Sequence, residues 1–297
     1  MKILLIFLFS LLNYLYIKTW KNFSNKVPSG LGIFLIVPCF FFYFEKNLYV
    51  FNTIVILVLS FLYFLDDLFE ISFLYRILLQ IFASLVIYYS FTTEINFTII
   101  FFNLLAFLIV INTLNFQDGE DLNIATLLFI IFSIFYFYAE NNFIQKTSEV
   151  ILLFLISFSL FNVKKKSLYF GDSGCYFSAI IIFLFAYNEI NNSILIKFLV
   201  AAITFPIIDV LYVLTYRIIK KQSLLTRNYL HLYQVIAQKF KNKFYLLTNL
   251  LFSILNILIS INFSLGINLI TILVMLNTFL LFLIHIILLR ISKKNES

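Results

Sequence analysis

The sequence predicts an all-α, polytopic membrane protein of about eleven transmembrane helices, with ten as the alternative count. Three observations carry this expectation. Hydrophobic residues make up 63% of the 297, mean hydropathy is +1.03, and most charged residues fall in the breaks between apolar runs. A soluble globule cannot hide that much apolar surface, whereas roughly 20 apolar residues are what one helix needs to cross the hydrocarbon. A single integral-membrane domain over 1–297 is therefore expected, with almost nothing left for a soluble part.

The runs follow in order. The first, 3–17, comes after Lys2 as in a signal peptide, but no small-residue cleavage site follows and Lys18, Lys21 and Lys26 close it. It reads as an uncleaved span. Runs 30–44 and 48–65 come next, the latter halting at Asp66-Asp67, and 74–91 opens beside Arg76 and Gln80. Run 97–111 stops at a stretch of amides and acids, after which 124–139 resumes. Run 150–163 ends in Lys164-Lys165-Lys166, 175–187 follows Gly171-Asp172-Ser173-Gly174, 194–216 carries Pro206 and Asp209, and 244–261 and 265–289 complete the set. His285, late in the last run, is expected to satisfy a backbone carbonyl. Cys39 and Cys175 lie far apart in or beside apolar runs, which reads as buried thiols and as neither a disulfide framework nor a zinc site.

The loops alternate between two compartments, and the 21 Lys and Arg divide seventeen to four between them. Only Lys2, Lys46, Lys146 and Lys197 fall in the poorer set. The positive-inside rule places the richer set in the cytoplasm, with the N-terminus outside and the C-terminus inside. The net charge of +7 thus serves topology and the lipid surface, and no nucleic acid partner is expected. The same parity puts Asp66, Asp67, Asp118, Asp121, Asp172 and His231 on the cytoplasmic face. Glu45, Glu94, Glu140, Glu149 and Glu189 fall outside and read as ordinary solvated loop charges.

Carboxylates beside lipid are costly and rarely idle. Adjacent Asp66 and Asp67 repel each other unless a cation or a shared proton relieves them, and Mg²⁺ suits such a pair because it leaves positions for water and substrate phosphates. Between Asn112 and Asn123 three acids and several amides crowd around Gly119, a turn that can aim Asp118 and Asp121 the same way. Asp172 stands between two glycines where a helix begins, offering backbone N–H groups to an anion beside a candidate metal ligand. The loop 217–243 adds Arg227, His231, Tyr233 and Gln234, a set able to hold phosphate oxygens.

Taken in this order, the islands resemble the polyprenyl-phosphate N-acetylhexosamine-1-phosphate transferases, glycosyltransferase family four, which also includes the phospho-N-acetylmuramoyl-pentapeptide transferase of peptidoglycan synthesis. Asn25 to Gly32 is similar to the family's first Pro-and-Gly segment, and Asp66-Asp67 with Arg76 and Gln80 to its aspartate pair. Asn112 to Asp121 is similar to its Asn-x-x-Asn-x-x-Asp-Gly-x-Asp element, and Gly171 to Gly174 to its Gly-Asp-Ser-Gly element. Glu120 and Leu122 stand where the family commonly has small residues or Gly. His231-Leu232-Tyr233-Gln234 replaces the histidine triplet of the peptidoglycan branch and is similar to members that begin O-antigen or capsule-type glycans.

The resemblance implies that a polyprenyl phosphate attacks the sugar-bearing phosphorus of a UDP-N-acetylhexosamine, giving a lipid-linked diphosphate sugar and UMP. It implies Mg²⁺ as cofactor, with Mn²⁺ as the alternative, in a bacterial inner membrane with the active site facing the cytoplasm and a homodimer as one admissible assembly. Asp172 and Asp67 are then the expected metal ligands, and Asp66, Asp67, Asp118 and His231 the catalytic groups. Asn112, Asn115, Asp121, Arg227 and Lys26 are the substrate-binding ones. Two rivals stand beside this reading: the peptidoglycan transferase, which lacks its histidines here, and an ion-coupled transporter, for which Asp209 near mid-span is the main argument.

Overall fold

The computed structural model describes residues 2–23, 27–37, 50–69, 71–92, 95–163, 168–224, 229–240 and 243–295. Every regular element among them is helical. These are α1 (Lys2–Phe23), a 3-10 helix (Leu31–Leu35), α2 (Val50–Phe69), α3 (Phe73–Phe91), α4 (Phe97–Gln117), α5 (Asn123–Tyr138) and α6 (Asn142–Asn162). Then come α7 (Gly171–Asn188), α8 (Ser193–Ile219), α9 (Leu232–Phe240), a short 3-10 turn (Lys243–Tyr245), α10 (Leu246–Ile261) and α11 (Ile267–Asn295). Phe and Ile favour strands in water, yet the 40 Phe residues do not prevent helix formation. In hydrocarbon a segment that satisfies its own backbone is the one that persists. Seven of the helices are long and apolar enough to cross a membrane, and the chain is an all-α polytopic membrane protein. Ten of the expected runs stand on helices. The run 30–44 lies partly outside the described residues, and its beginning is the Leu31–Leu35 turn.

The chain packs as two compact units, Met1–Asn192 and Ser193–Ser297. In the first, α7 is central: it packs on α2, α3, α4 and the 3-10 helix, while α6 joins α5 and α1. Thirteen of its 18 residues are buried, from Gly171 through Phe185, which is the pattern of a helix surrounded by other helices. Buried polar pairs join its neighbours. Asn103 donates to Ser84 Oγ at 3.1 Å and accepts from Tyr187, and Asn13 donates to Ser157 at 3.0 Å. Such contacts give specificity between helices more than energy. Peripheral α1 keeps Ile3, Leu4, Phe7 and Leu8 exposed, as a lipid-facing surface requires.

In the second unit α8 packs on α10 and α11. Pro206 inside α8 has no N–H to give the carbonyl four residues back, and Ser253 Oγ of α10 donates to that carbonyl, Ala202 O, at 3.1 Å. Asn256 donates to Ala201 O at 3.1 Å and accepts from Asn277 at 2.9 Å. The Phe205 and Phe252 rings stack at 3.8 Å, and α9 lays Leu232, Val235 and Ile236 against the same cluster.

Three expectations are corrected here. Helix α6 starts at Asn142 and not at 150, because Asn141 caps it, accepting from Phe143 N at 3.0 Å. Glu189 is not a solvated loop charge. It is 4% exposed and accepts the N–H groups of Asn141 and Glu140, at 2.8 and 3.1 Å, just ahead of α6. His285 stacks on Tyr212 at 5.0 Å in place of the expected carbonyl bond, and its Nε2 has no hydrogen-bond partner.

Candidate active site

Three helix ends meet at the start of α7. The first N–H groups of any helix lack partners within it and attract negative charge. Here the C-terminal end of α2 supplies that charge, and the C-cap of α4 supplies a further carboxyl oxygen. Asp67 Oδ1 accepts from Asp172 N and Asp67 Oδ2 from Ser173 N, both at 2.9 Å, and Asp118 Oδ2 accepts from Gly171 N at 2.8 Å. The backbone donors that the sequence offered to a substrate anion are therefore occupied by the protein's own carboxylates. The apolar run begins at 175, yet the helix starts at Gly171, so Asp172 rides its first turn.

The segment around Pro28 closes over this junction. Tyr169 N donates to Pro28 O at 2.8 Å, Gly32 N to Phe170 O at 3.0 Å, and Ser29 Oγ to Asp67 Oδ1 at 3.1 Å. Two glycines make the approach achievable. Gly171 has φ +85, and a Cβ there would stand 2.3 Å from Gly30 N. A Cβ on Gly32 would stand 2.0 Å from Gly174 Cα.

With its backbone held by Asp67, Asp172 projects its carboxylate away from the helix axis, 31% of the side chain remaining exposed. Asn115 Nδ2 donates to Oδ1 at 2.6 Å and Arg76 Nη1 to Oδ2 at 3.2 Å. The same guanidinium stands 3.7 Å, through Nε, from Asp66 Oδ2. Asp66 Oδ1 accepts from Ile71 N at 2.7 Å, whereas its buried Oδ2 has no hydrogen-bond partner. Helix α4 runs six residues past 111 to Gln117, so Asn112 and Asn115 sit on one helix, three apart. Asn112 reaches Gln80 of α3 at 3.2 Å. Burial, then the like charges of Asp67 and Asp172, push the Asp118 carboxyl up to about 8, against the opposing pull of its bond from Gly171 N. Asp121 is buried in the turn before α5, where Leu122 adopts φ +64.

Among the described residues no three His, Cys, Asp or Glu side chains are arranged to hold a metal by themselves. The donor set nevertheless fits a Mg²⁺ ion completed by substrate. Such an ion needs one or two carboxylates plus phosphate oxygens and water, and it matches the partly exposed Asp172 and the hydrogen-bond-free oxygen of Asp66.

His231 belongs to the second unit. It is buried just before α9, with Nδ1 3.0 Å from Asp209 Oδ2. Lys26 and Arg227 lie outside the described residues. The expected set thus divides. Asp67, Asp118, Asp172 and Asn115 are joined by hydrogen bonds, Asp66 through Arg76, and Asn112 one helical turn away. Sequence reasoning passed over Ser29 and read Asp209 as an argument for transport. A signal for Asp209 existed, since a carboxylate in a membrane span calls for a partner, and the chain has only two histidines.

Residues 48–189 match the model of a family described as Glycosyl transferase family 4, a stretch that includes Asp66, Asp67, Asp118 and Asp172. No curated protein matches the sequence. The match supports a polyprenyl-phosphate sugar-1-phosphate transferase class, whose members act in membranes on polyprenyl phosphate and nucleotide sugars and are generally dependent on a divalent metal.

Proposed function

We propose, with that family match as premise, that the chain transfers N-acetylhexosamine-1-phosphate, or the phosphate of a deoxy-amino relative, from a UDP-sugar to undecaprenyl phosphate. UMP is released, and the step opens O-antigen or capsule-type polysaccharide synthesis at the cytoplasmic face of a bacterial inner membrane. The joining of Asp67, Asp118 and Asp172 at one helix start supports this best, because those residues come from segments 53 and 105 positions apart and share no role in packing apolar surface.

In this reading residues 1–297 form one transferase domain. A lipid phosphate oxygen bonds to the sugar-bearing phosphorus, the bond from that phosphorus to the UMP oxygen breaks, and the electron pair leaves with UMP. Arg76 offsets negative charge beside Asp172. The lipid phosphate is mostly a dianion at neutral pH, so the step needs no carboxylate to take its proton. Asn112, Asn115, Asp118 and Asp121 orient the nucleotide sugar, and His231, Arg227 and Lys26 hold phosphate oxygens. Mg²⁺, or Mn²⁺ in its place, would be held by Asp172 with Asp66 and would neutralise charge between the two polyanions. The share in the metal that the sequence assigned to Asp67 passes to Asp66 here, since Asp67 fixes the Asp172 backbone with both its oxygens.

Membranes containing the protein, given labelled UDP-GlcNAc, UDP-GalNAc or deoxy-amino analogues with polyprenyl phosphate, are expected to release UMP and form a lipid-linked product. EDTA should stop both. No UMP from any of these donors overturns the proposal.

A further inference from the structure

We infer that Asp209 is a positioning residue that keeps the imidazole of His231 protonated on Nδ1, leaving Nε2 as the atom that meets a phosphate oxygen. The functional half of this inference rests on the proposed role of His231, whereas the tautomer does not.

Asp209 lies on α8, three residues after Pro206, and both partners are almost wholly buried, with 2% and 3% of their side chains exposed. The carboxylate uses its two oxygens separately. Oδ2 stands 3.0 Å from His231 Nδ1, and Oδ1 accepts the N–H of Leu232 at 2.9 Å. One carboxylate therefore fixes the ring and the adjoining backbone of a residue 22 positions away. His231 O in turn accepts from Val235 N at 2.9 Å, so the histidine is tied into the start of α9 as well. Ring, backbone and helix start are then set relative to α8.

The chemistry follows from the donor inventory. An ionised carboxylate only accepts. A ring nitrogen bonded to it must carry the proton, which fixes the tautomer with Nε2 as acceptor in the neutral ring and as second donor in the cation. A carboxylate at Nδ1 also removes ring rotation. A ring fixed in this way suits a group that bonds an incoming phosphate through one defined atom. The pairing also accounts for a carboxylate within a membrane helix without invoking an ion path: such a charge persists where it is paired.

Three arms test this in the full-length protein. Asp209→Asn, measured by UMP release with the donor that proves active, should lower kcat by roughly 10–100-fold with KM for the donor little changed, as for other groups that orient a functional imidazole. Asp209→Glu should recover part of that loss. In a cycle with His231→Ala, adding Asp209→Asn should bring no further loss. An equal loss in both backgrounds overturns the inference. His285→Phe leaves one imidazole in the chain. The ¹⁵N spectrum of that histidine in micelles should show the Nδ1–H tautomer, moving towards Nε2–H when Asp209→Asn is added. An Nε2–H ring in the protein that retains Asp209 overturns the assignment, including where Asp209→Asn fails to accumulate. Full activity of His231→Ala removes the phosphate role of His231 and hence the functional half of the inference, and the spectrum then decides the tautomer separately.

Discussion

Asp172 is held at both oxygens by side chains of other helices, Asn115 and Arg76, and through its backbone by Asp67. Asp172→Asn keeps the shape and removes the charge, so transfer should fall at least as far as the roughly 10–100-fold that the outer partners of a metal ligand cost. The protein should remain in the membrane at its normal level. Near-normal turnover in membranes would count against the assignment. Gly171→Ala acts differently. It imposes φ +85 on a residue with a Cβ and brings that atom 2.3 Å from Gly30 N. The left-handed backbone alone costs about 1–2 kcal/mol, and the clash adds to it. Both melting temperature and activity should drop, and a variant that melts like the native protein would show that the Pro28 segment does not need this contact.

At the level of elements, helix ends are where sequence reading and structure part. Hydropathy marks where apolar side chains stop, but a helix stops where its caps are. Helix α4 continues through Asn112 and Asn115, and α6 begins eight residues before 150, at a polar stretch held by Asn141 and Glu189. That the Asp66-Asp67, Asn112–Asp121 and Gly171–Gly174 islands belong together was legible, because each is short, polar and set at the same end of an apolar run. That Asp67 and Asp118 take the α7 amides themselves was not, since sequence does not say which anion reaches a helix start first. Glu189 provides the element-level prediction. Glu189→Gln keeps the size and loses the charge on an acceptor of two N–H groups, and hydrogen bonds to charged groups are worth about 1.5–3 kcal/mol. Thermal unfolding in detergent should show a lowered midpoint while kcat per folded molecule stays unchanged. A loss of turnover without a loss of stability would contradict that structural role.

For the molecule as a whole, the all-helical membrane architecture was legible from composition and run length alone, because lipid leaves the backbone few alternatives. The division at Asn192 was not, since no change of composition marks it. The orientation drawn from Lys and Arg gives a direct prediction. A reporter fused after Ser297 that is active only in the cytoplasm should work, and one placed in the 188–193 turn should not. The opposite pattern would put the aspartates on the other face and count against the proposed cytoplasmic site. One contrast within the first unit reaches further. The floor of the cluster is gripped through main-chain amides, whereas Arg76 and Asn115 reach Asp172 only by their tips. Exchanges on α3 and α4 would therefore alter what surrounds the carboxylate of Asp172 while its backbone stays where Asp67 holds it, so the immediate neighbours of that group can vary over an unchanged scaffold.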